Sequence, residues 1–388
     1  MVKSNNLNEI RRINKKEKNV AIEILRIFAM ILIIFQHFME YGGIKDSAVM
    51  GDLMYPFVYY MYGLVQIAVN CYILISGYFL VTSKFKFKKL MILWVEVFFY
   101  SIILYLVTVV TGYCDFSLTT LVSCFIPVVT GRYWFVTIYF GMYLLSPFLN
   151  IAIRAMNKHQ HAKLNILLLI LFSIWTTIPI SRGMNVNGGW SIAWFVVLYF
   201  ISAYFRLYYV PNYKIKYKLL VTLGLSLILP VSKLSIDMLT NRGLSILAGK
   251  STMLFKYESF FVIMLAISVF VLFLNIKIKQ NAISSFILKI SPCTFGVYLI
   301  HHHAKIYPIM WGLIDGTRFL DNWWFPFYMT GIVLLIFSVC IFIDKIRSIV
   351  FVPLDRSTFL ERFANLIENT VKKVIHKACI IVKRIYEK

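Results

Sequence analysis

The sequence predicts an all-α, polytopic membrane protein of about ten transmembrane helices, with both termini in the cytoplasm. Three observations lead there. Of the 388 residues, 60% are hydrophobic, 17% aromatic and only 15% charged, and the mean hydropathy is +0.76, more apolar surface than a soluble core absorbs. Apolar runs long enough to cross a bilayer recur along the whole chain. Most of the 40 Lys and Arg residues stand in short blocks on one side of those runs, the asymmetry that fixes orientation. A net charge of +23 in a soluble chain points to nucleic acid. Distributed as it is here, it reads as topology and argues against a nucleic-acid partner.

The runs, in order, justify themselves as follows. The first, 20–39, contains "LRIFAMILIIFQHFMEY"; Arg26 and His37 point within about 20° of each other on a helix and stand about 16 Å apart along its axis. No small-residue cleavage site follows it, so it is expected to stay as a helix. The second, 57–80, includes Asn70, Ser76 and Gly77, small or polar residues suited to close helix packing and to a polar lining. It ends on "KFKFKK", a positive-inside anchor whose Lys84, Lys86, Lys88 and Lys89 also offer charge to nucleotide phosphates. The third, 90–111, carries Glu96, a membrane carboxylate with no partner evident from sequence. The stretch 113–130 is interrupted by Asp115, Pro127 and Gly131, and reads as a re-entrant or interfacial piece beneath the next helix. The fourth run, 134–153, opens with Arg132, Tyr133 and Trp134, an arrangement that suits an aromatic belt or stacking on sugar rings.

Runs five to seven span 164–181, 191–209 and 219–235, and the eighth, 258–276, begins at Glu258, expected at the interface. The ninth, 283–304, ends in His301, His302 and His303. Adjacent histidines diverge by 100° on a helix, so the three do not form one metal site, and no metal is expected. His301 is the one expected to face the bundle. The tenth run is 325–343. Beyond it, Leu366, Val371, Val374, Ile375, Ala378 and Ile381 alternate at helical spacing with Lys372, Lys373, Lys377, Lys383 and Arg384, as in a basic amphipathic helix lying on anionic lipid. Residues 1–19 are thus read as a basic cytoplasmic N-terminus, 20–343 as the membrane domain and 344–388 as a basic cytoplasmic tail. The six cysteines (Cys71, Cys114, Cys124, Cys293, Cys340, Cys379) make no CxxC pair and read as small core residues.

Chemistry is then sought inside the bundle, because ionisable groups there are costly. His37 can exchange a proton near neutral pH and act as a general base, unless it merely sits among outer headgroups. Glu40, three residues on, is placed to orient its ring. Arg26 either pairs with Glu23 or clamps a phosphate-bearing ligand at the inner face. No G-x-S-x-G elbow, Walker A loop or Rossmann glycine pattern occurs, which removes soluble hydrolase, ATPase and dinucleotide readings.

Several motifs together resemble the membrane-bound acyltransferase 3 family, ten-helix O-acyltransferases of bacterial surface polysaccharides. They are Arg26-x10-His37, "ISGYFL" at 75–80, "YWF" at 133–135 with "YLLSPFLN" at 143–150, "WFVVLYFISAYFR" at 194–206 and "TFGVYLIH" at 294–301. One departure is Glu258-Ser259-Phe260, where the family often shows Asn-Ser-Pro. With only the basic tail after the helices, the chain resembles the stand-alone members.

The resemblance implies a multi-pass protein of the bacterial cell membrane that takes acetyl-CoA as a co-substrate on the cytoplasmic side. No cofactor would be bound permanently. The acceptor would be a hydroxyl of a surface polysaccharide or lipid-linked glycan, and activity would depend on His37 and Arg26. In that reading His37 and Glu40 are catalytic, and Arg26, Lys84, Lys86, Lys88 and Lys89 hold the donor. Arg132, Tyr133, Trp134 and His301 contact the acceptor, while Ser76 and Gly77 pack helices. His37 either deprotonates the acceptor or carries the acyl group transiently. The rival class is a lipid-linked oligosaccharide flippase or other secondary transporter, which should show repeat symmetry and midplane broken helices, neither of which this sequence displays.

Overall fold

Among the described residues the helical order begins at Asn19, whose side chain accepts from the backbone N–H groups of Ala21 (3.1 Å) and Ile22 (3.4 Å); such a cap contributes about 1 kcal/mol. It opens α1 (Val20–Tyr41), in a computed structural model that describes residues 19–178, 183–212, 214–355, 357–358 and 360–370. Residues 1–18 and the greater part of the amphipathic tail, from 371 on, lie outside the described residues.

Helices lie at each of the predicted places. They are α2 (Tyr55–Val65), α3 (Ala68–Leu80), α4 (Phe87–Val110), α5 (Leu118–Phe125), α6 (Trp134–Ala155), α7 (Lys158–Leu169), α8 (Ile192–Tyr208), α9 (Ile215–Asn241), α10 (Phe260–Leu274), α11 (Ala282–Ile290), α12 (Thr294–His301), α13 (Tyr307–Leu313) and α14 (Phe325–Val350). Among the described residues there is no strand, and 7 helical segments are long and apolar enough to cross a membrane: Val20–Tyr41, Tyr55–Leu80, Phe87–Val110, Trp134–Ala155, Ile215–Asn241, Ala282–His301 and Phe325–Val350. α8 and α10 are apolar but shorter. The chain is a polytopic helical membrane protein.

Where the structure departs from a single uninterrupted helix, a polar device repairs the backbone. The second run breaks at Gln66 and Ile67, and the Gln66 amide donates to the Tyr62 carbonyl at 3.2 Å, as buried backbone in an apolar medium requires. The fifth run starts earlier than predicted, at Lys158, and continues from α7 through a π turn at Ile170–Ile174 to Thr177. Pro292 breaks the ninth run between α11 and α12 through a 3₁₀ turn at Ser291–Cys293. The interrupted stretch 113–130 holds only α5, eight residues long with Val122 and Phe125 exposed, far too short to span.

α1 forms the axis of the bundle. Ile22, Leu25, Ala29, Ile34 and Phe38 are fully buried, and α1 packs against α2, α3, α10, α12 and α14. Apolar side chains such as Leu106, Phe148, Leu220, Phe327 and Phe342 are exposed around the periphery, where lipid is the solvent. Since lipid is as apolar as leucine, close packing and interhelical polar contacts must hold these helices together. Gly77 shows the first. A Cβ there would meet Ser202 Oγ at 2.2 Å and the Tyr199 Cα at 3.1 Å, so α3 and α8 approach at a spacing only glycine permits. Its neighbour Ser76 donates to the Tyr72 carbonyl within its own helix (2.9 Å). Asn150 shows the second, accepting from the Tyr199 hydroxyl (2.8 Å) and donating to the Leu80 carbonyl (3.2 Å).

Glu96 has the partner that sequence did not reveal. Arg347 on α14 reaches it at 3.0 Å and also holds Asp344 at 2.7 Å, and the Tyr100 hydroxyl donates to Asp344 at 2.8 Å. Asp344 is fully buried against Gly296, where a Cβ would strike its Oδ1 at 2.1 Å. This network ties α4, α12 and α14 together.

Candidate active site

The site is assembled around the C-terminal half of α1. Met30, Ile33, Gln36, His37, Glu40 and Tyr41 present one face to a cavity of about 130 Å³. The opposite walls are Val69 and Tyr72 on α3, Trp134 and Phe135 on α6, Phe295 and Tyr298 on α12, and Trp190, Tyr257 and His302 from loops. The lining reaches Met30, one helical turn from Arg26, so the stripe predicted from Arg26 to His37 does border an internal space for most of its length. Arg26 itself does not line it and pairs with Glu23 at 3.3 Å, the simpler of its two sequence readings.

His37 is buried, with 9% of its surface exposed. Its Nδ1 lies 2.9 Å from His301 Nε2, and His301 Nδ1 lies 2.6 Å from the Val297 carbonyl oxygen. His302 stacks on the His37 ring at 4.2 Å with the planes 14° apart. The three consecutive histidines thus diverge as helical spacing requires: His301 faces His37, His302 faces the cavity, and His303 Nε2 donates to the Ser101 carbonyl on α4 (3.3 Å). The turn is pinned from α6 as well, by the Tyr133 hydroxyl donating to the Leu299 carbonyl at 3.0 Å.

The orienting role given to Glu40 is not what the geometry shows. No hydrogen bond joins Glu40 to His37 among the described residues; Glu40 accepts from the Tyr62 hydroxyl at 3.5 Å, and His301 occupies the ring nitrogen instead. The i, i+3 spacing put the carboxylate on the neighbouring face, where α2 supplies a donor. Of the four residues expected at an acceptor, only Trp134 lines the cavity. Tyr133 is a strut, His301 stands behind His37, and Arg132 donates to Ser123 Oγ at 2.7 Å, tying α5 to the start of α6. The lysine turn also lies apart from the cavity. Lys84, Lys86 and Lys89 are exposed, Lys88 pairs with Glu361 at 3.5 Å, and the Phe87 N–H donates to Glu368 at 2.7 Å.

Residues that sequence reading passed over complete the wall. Trp190 stacks on Trp134 at 4.7 Å with planes 6° apart, and Tyr257 lies 6.4 Å from both at 17° and 20°. Tyr257 is held at both ends: its hydroxyl accepts from Gln36 Nε2 (2.8 Å), and its carbonyl accepts from Asn70 Nδ2 (2.8 Å), while Asn70 Oδ1 accepts from Trp194 Nε1 (3.0 Å). The π turn contributes too. Ser173 donates to the Glu258 carbonyl (2.7 Å), and Thr177 Oγ1 accepts from the Phe260 N–H (2.9 Å); π segments recur where a helix must aim side chains at a site. Glu258, expected at the interface, is instead 3% exposed, carried inward by this clamp. Gly189 sets Trp190. Its φ is +85°, and a Cβ there would meet the Tyr257 Cβ at 2.6 Å, which only glycine avoids.

An imidazole in a mostly apolar cavity, hydrogen-bonded at one nitrogen and walled by aromatic rings, can move a proton to or from a bound hydroxyl. Among the described residues no trio of His, Cys, Asp or Glu is arranged to hold a metal ion. No match was found among curated proteins or among solved structures. A family model described as an acyltransferase domain matches residues 19–344, nearly the whole helical bundle. The chain therefore belongs to the membrane-bound acyltransferase 3 family.

Proposed function

We propose that this acyltransferase moves an acetyl group from acetyl-CoA, delivered from the cytoplasmic face of a bacterial cell membrane, to a hydroxyl of a surface polysaccharide or lipid-linked glycan. The observation that carries the reading is His37, buried in the bundle yet lining a cavity whose opposite walls are mostly aromatic. His37 takes the proton of the acceptor hydroxyl as its oxygen attacks the thioester carbonyl. The C–S bond breaks, and the imidazolium returns that proton to the departing sulfur, so CoA leaves as the thiol and the ester stays on the sugar. The nucleotide remains outside the cavity, near the Arg26 end of α1, where Arg26 exchanges Glu23 for a phosphate. The stacked Trp134, Trp190 and Tyr257 rings offer apolar faces to a sugar, as aromatic side chains do.

The test is acetyl transfer from labelled acetyl-CoA to the host's surface glycan by the purified protein. The account expects CoA release coupled to labelled glycan, both lowered about a hundredfold or more by His37→Ala. Full transfer by that variant overturns it.

A further inference from the structure

We propose that His301 is a positioning residue that fixes the tautomer of His37, placing its proton on Nδ1 and leaving Nε2 as a bare lone pair for the cavity. The proposal rests on the acyl-transfer reading only for its catalytic consequence, because the tautomer is a property of the folded chain.

The deduction starts at the backbone. A carbonyl oxygen can only accept, so His301 Nδ1, 2.6 Å from the Val297 carbonyl, must carry a hydrogen. A neutral imidazole protonated at Nδ1 has its lone pair at Nε2, and this is the atom 2.9 Å from His37 Nδ1. His37 Nδ1 therefore donates, and the proton of its neutral ring is accounted for. Its Nε2 makes no hydrogen bond within the chain among the described residues, and His37 lines the cavity. The ring plane is set independently by the His302 stack at 4.2 Å. The last turn of α12 cannot easily rotate, because Tyr133 holds the Leu299 carbonyl and His303 reaches the Ser101 carbonyl. A helix backbone thus dictates, through one intervening side chain, which nitrogen of His37 can accept a proton.

The consequence is chemical. The opposite tautomer would present an N–H to the acceptor hydroxyl and could not remove its proton. A carboxylate in the place of His301 would fix the same tautomer but would bury a negative charge in the bundle, at high cost. The neutral His301 orients the ring without that charge. When His37 becomes an imidazolium, its Nδ1–H to Nε2 contact becomes charge-assisted and strengthens.

The experiment uses the full-length protein in lipid nanodiscs with ring-15N histidine. The chain has 7 histidines, and the His37 signals are those lost in His37→Asn. Protonated and bare ring nitrogens of neutral imidazole resonate apart, so the tautomer is read directly. The expected spectrum shows a protonated Nδ1 and a bare Nε2. His301→Ala should yield a mixture of tautomers and lower acetyl-CoA turnover about tenfold or more. His301→Gln, whose amide oxygen can accept from Nδ1–H, should restore the tautomer and part of the turnover. A native His37 carrying its proton on Nε2, or a His37 tautomer indifferent to His301→Ala, overturns the proposal. A tautomer that follows His301 in a protein that never releases CoA from acetyl-CoA leaves the positioning claim standing and overturns the acyl-transfer reading instead.

Discussion

His37 illustrates what a single residue can reveal from sequence and what it cannot. An imidazole inside an apolar run is expensive enough to demand a reason, and its spacing from Arg26 marks it a second time. General-base help is worth roughly 10²- to 10⁴-fold, so His37→Ala should lower acetyl transfer by about that factor, measured as CoA release per protein. Its supports were not legible in the same way. Glu40 was suggested by i, i+3 spacing, yet His301, distant in sequence, holds the ring, because spacing along one helix says nothing of what a neighbouring helix presents. Trp190 and Tyr257 sit in loops, where no periodicity marks a side chain as facing inward. Ring stacking contributes about 0.5–1.5 kcal/mol, so Trp190→Ala should raise the KM for the glycan acceptor several-fold in the coupled transfer assay. An unchanged KM would place the sugar elsewhere.

At the scale of elements, hydropathy located the helices well, since a bilayer imposes length and apolarity on each of them. It did not locate their breaks. The interruption at Gln66 and Ile67 is bridged within its own run by the Gln66 amide on the Tyr62 carbonyl, and the π turn at Ile170–Ile174 is met from across the bundle, where Ser173 donates to the Glu258 carbonyl; hydropathy encodes neither. Small residues were more informative. Gly77 was expected to pack, and it lies where α3 meets the Tyr199 backbone. Overpacking a tight contact costs typically about 1–3 kcal/mol, so Gly77→Leu should lower the thermal midpoint of the detergent-solubilised protein by several degrees, while Gly224→Leu, with open space at its Cβ, should leave it nearly unchanged. Arg347 carries the complementary prediction. Removing one partner of a buried ion pair costs about 3–5 kcal/mol because the remaining charge is stranded. Arg347→Met should therefore destabilise the chain strongly, and pairing it with Glu96→Gln and Asp344→Asn should recover much of the loss. Additive losses in the triple variant would mean that the network is not a unit.

The whole molecule places a polar face of α1, with Gln36, His37 and Glu40, inside an apolar assembly and leaves apolar side chains facing outward. The basic segments point to an orientation in which the Arg26 end of α1 faces the cytoplasm and the His37 end lies toward the outside. On a cysteine-free background, Asp52→Cys should then react with a membrane-impermeant thiol reagent in intact cells, and Lys279→Cys only after the membrane is opened. Reversed labelling would put the donor on the wrong side. Between these ends the account requires one continuous path, with a thioester entering from the Arg26 side and reaching the cavity at His37. The most direct measurement is a cryo-EM structure of the protein with a non-hydrolysable acetyl-CoA analogue. The account predicts nucleotide density at the Arg26 end of α1 and the acyl carbonyl within about 3.5 Å of a hydroxyl or its site beside His37. An analogue seated away from α1, with the His37 cavity holding only water, contradicts it.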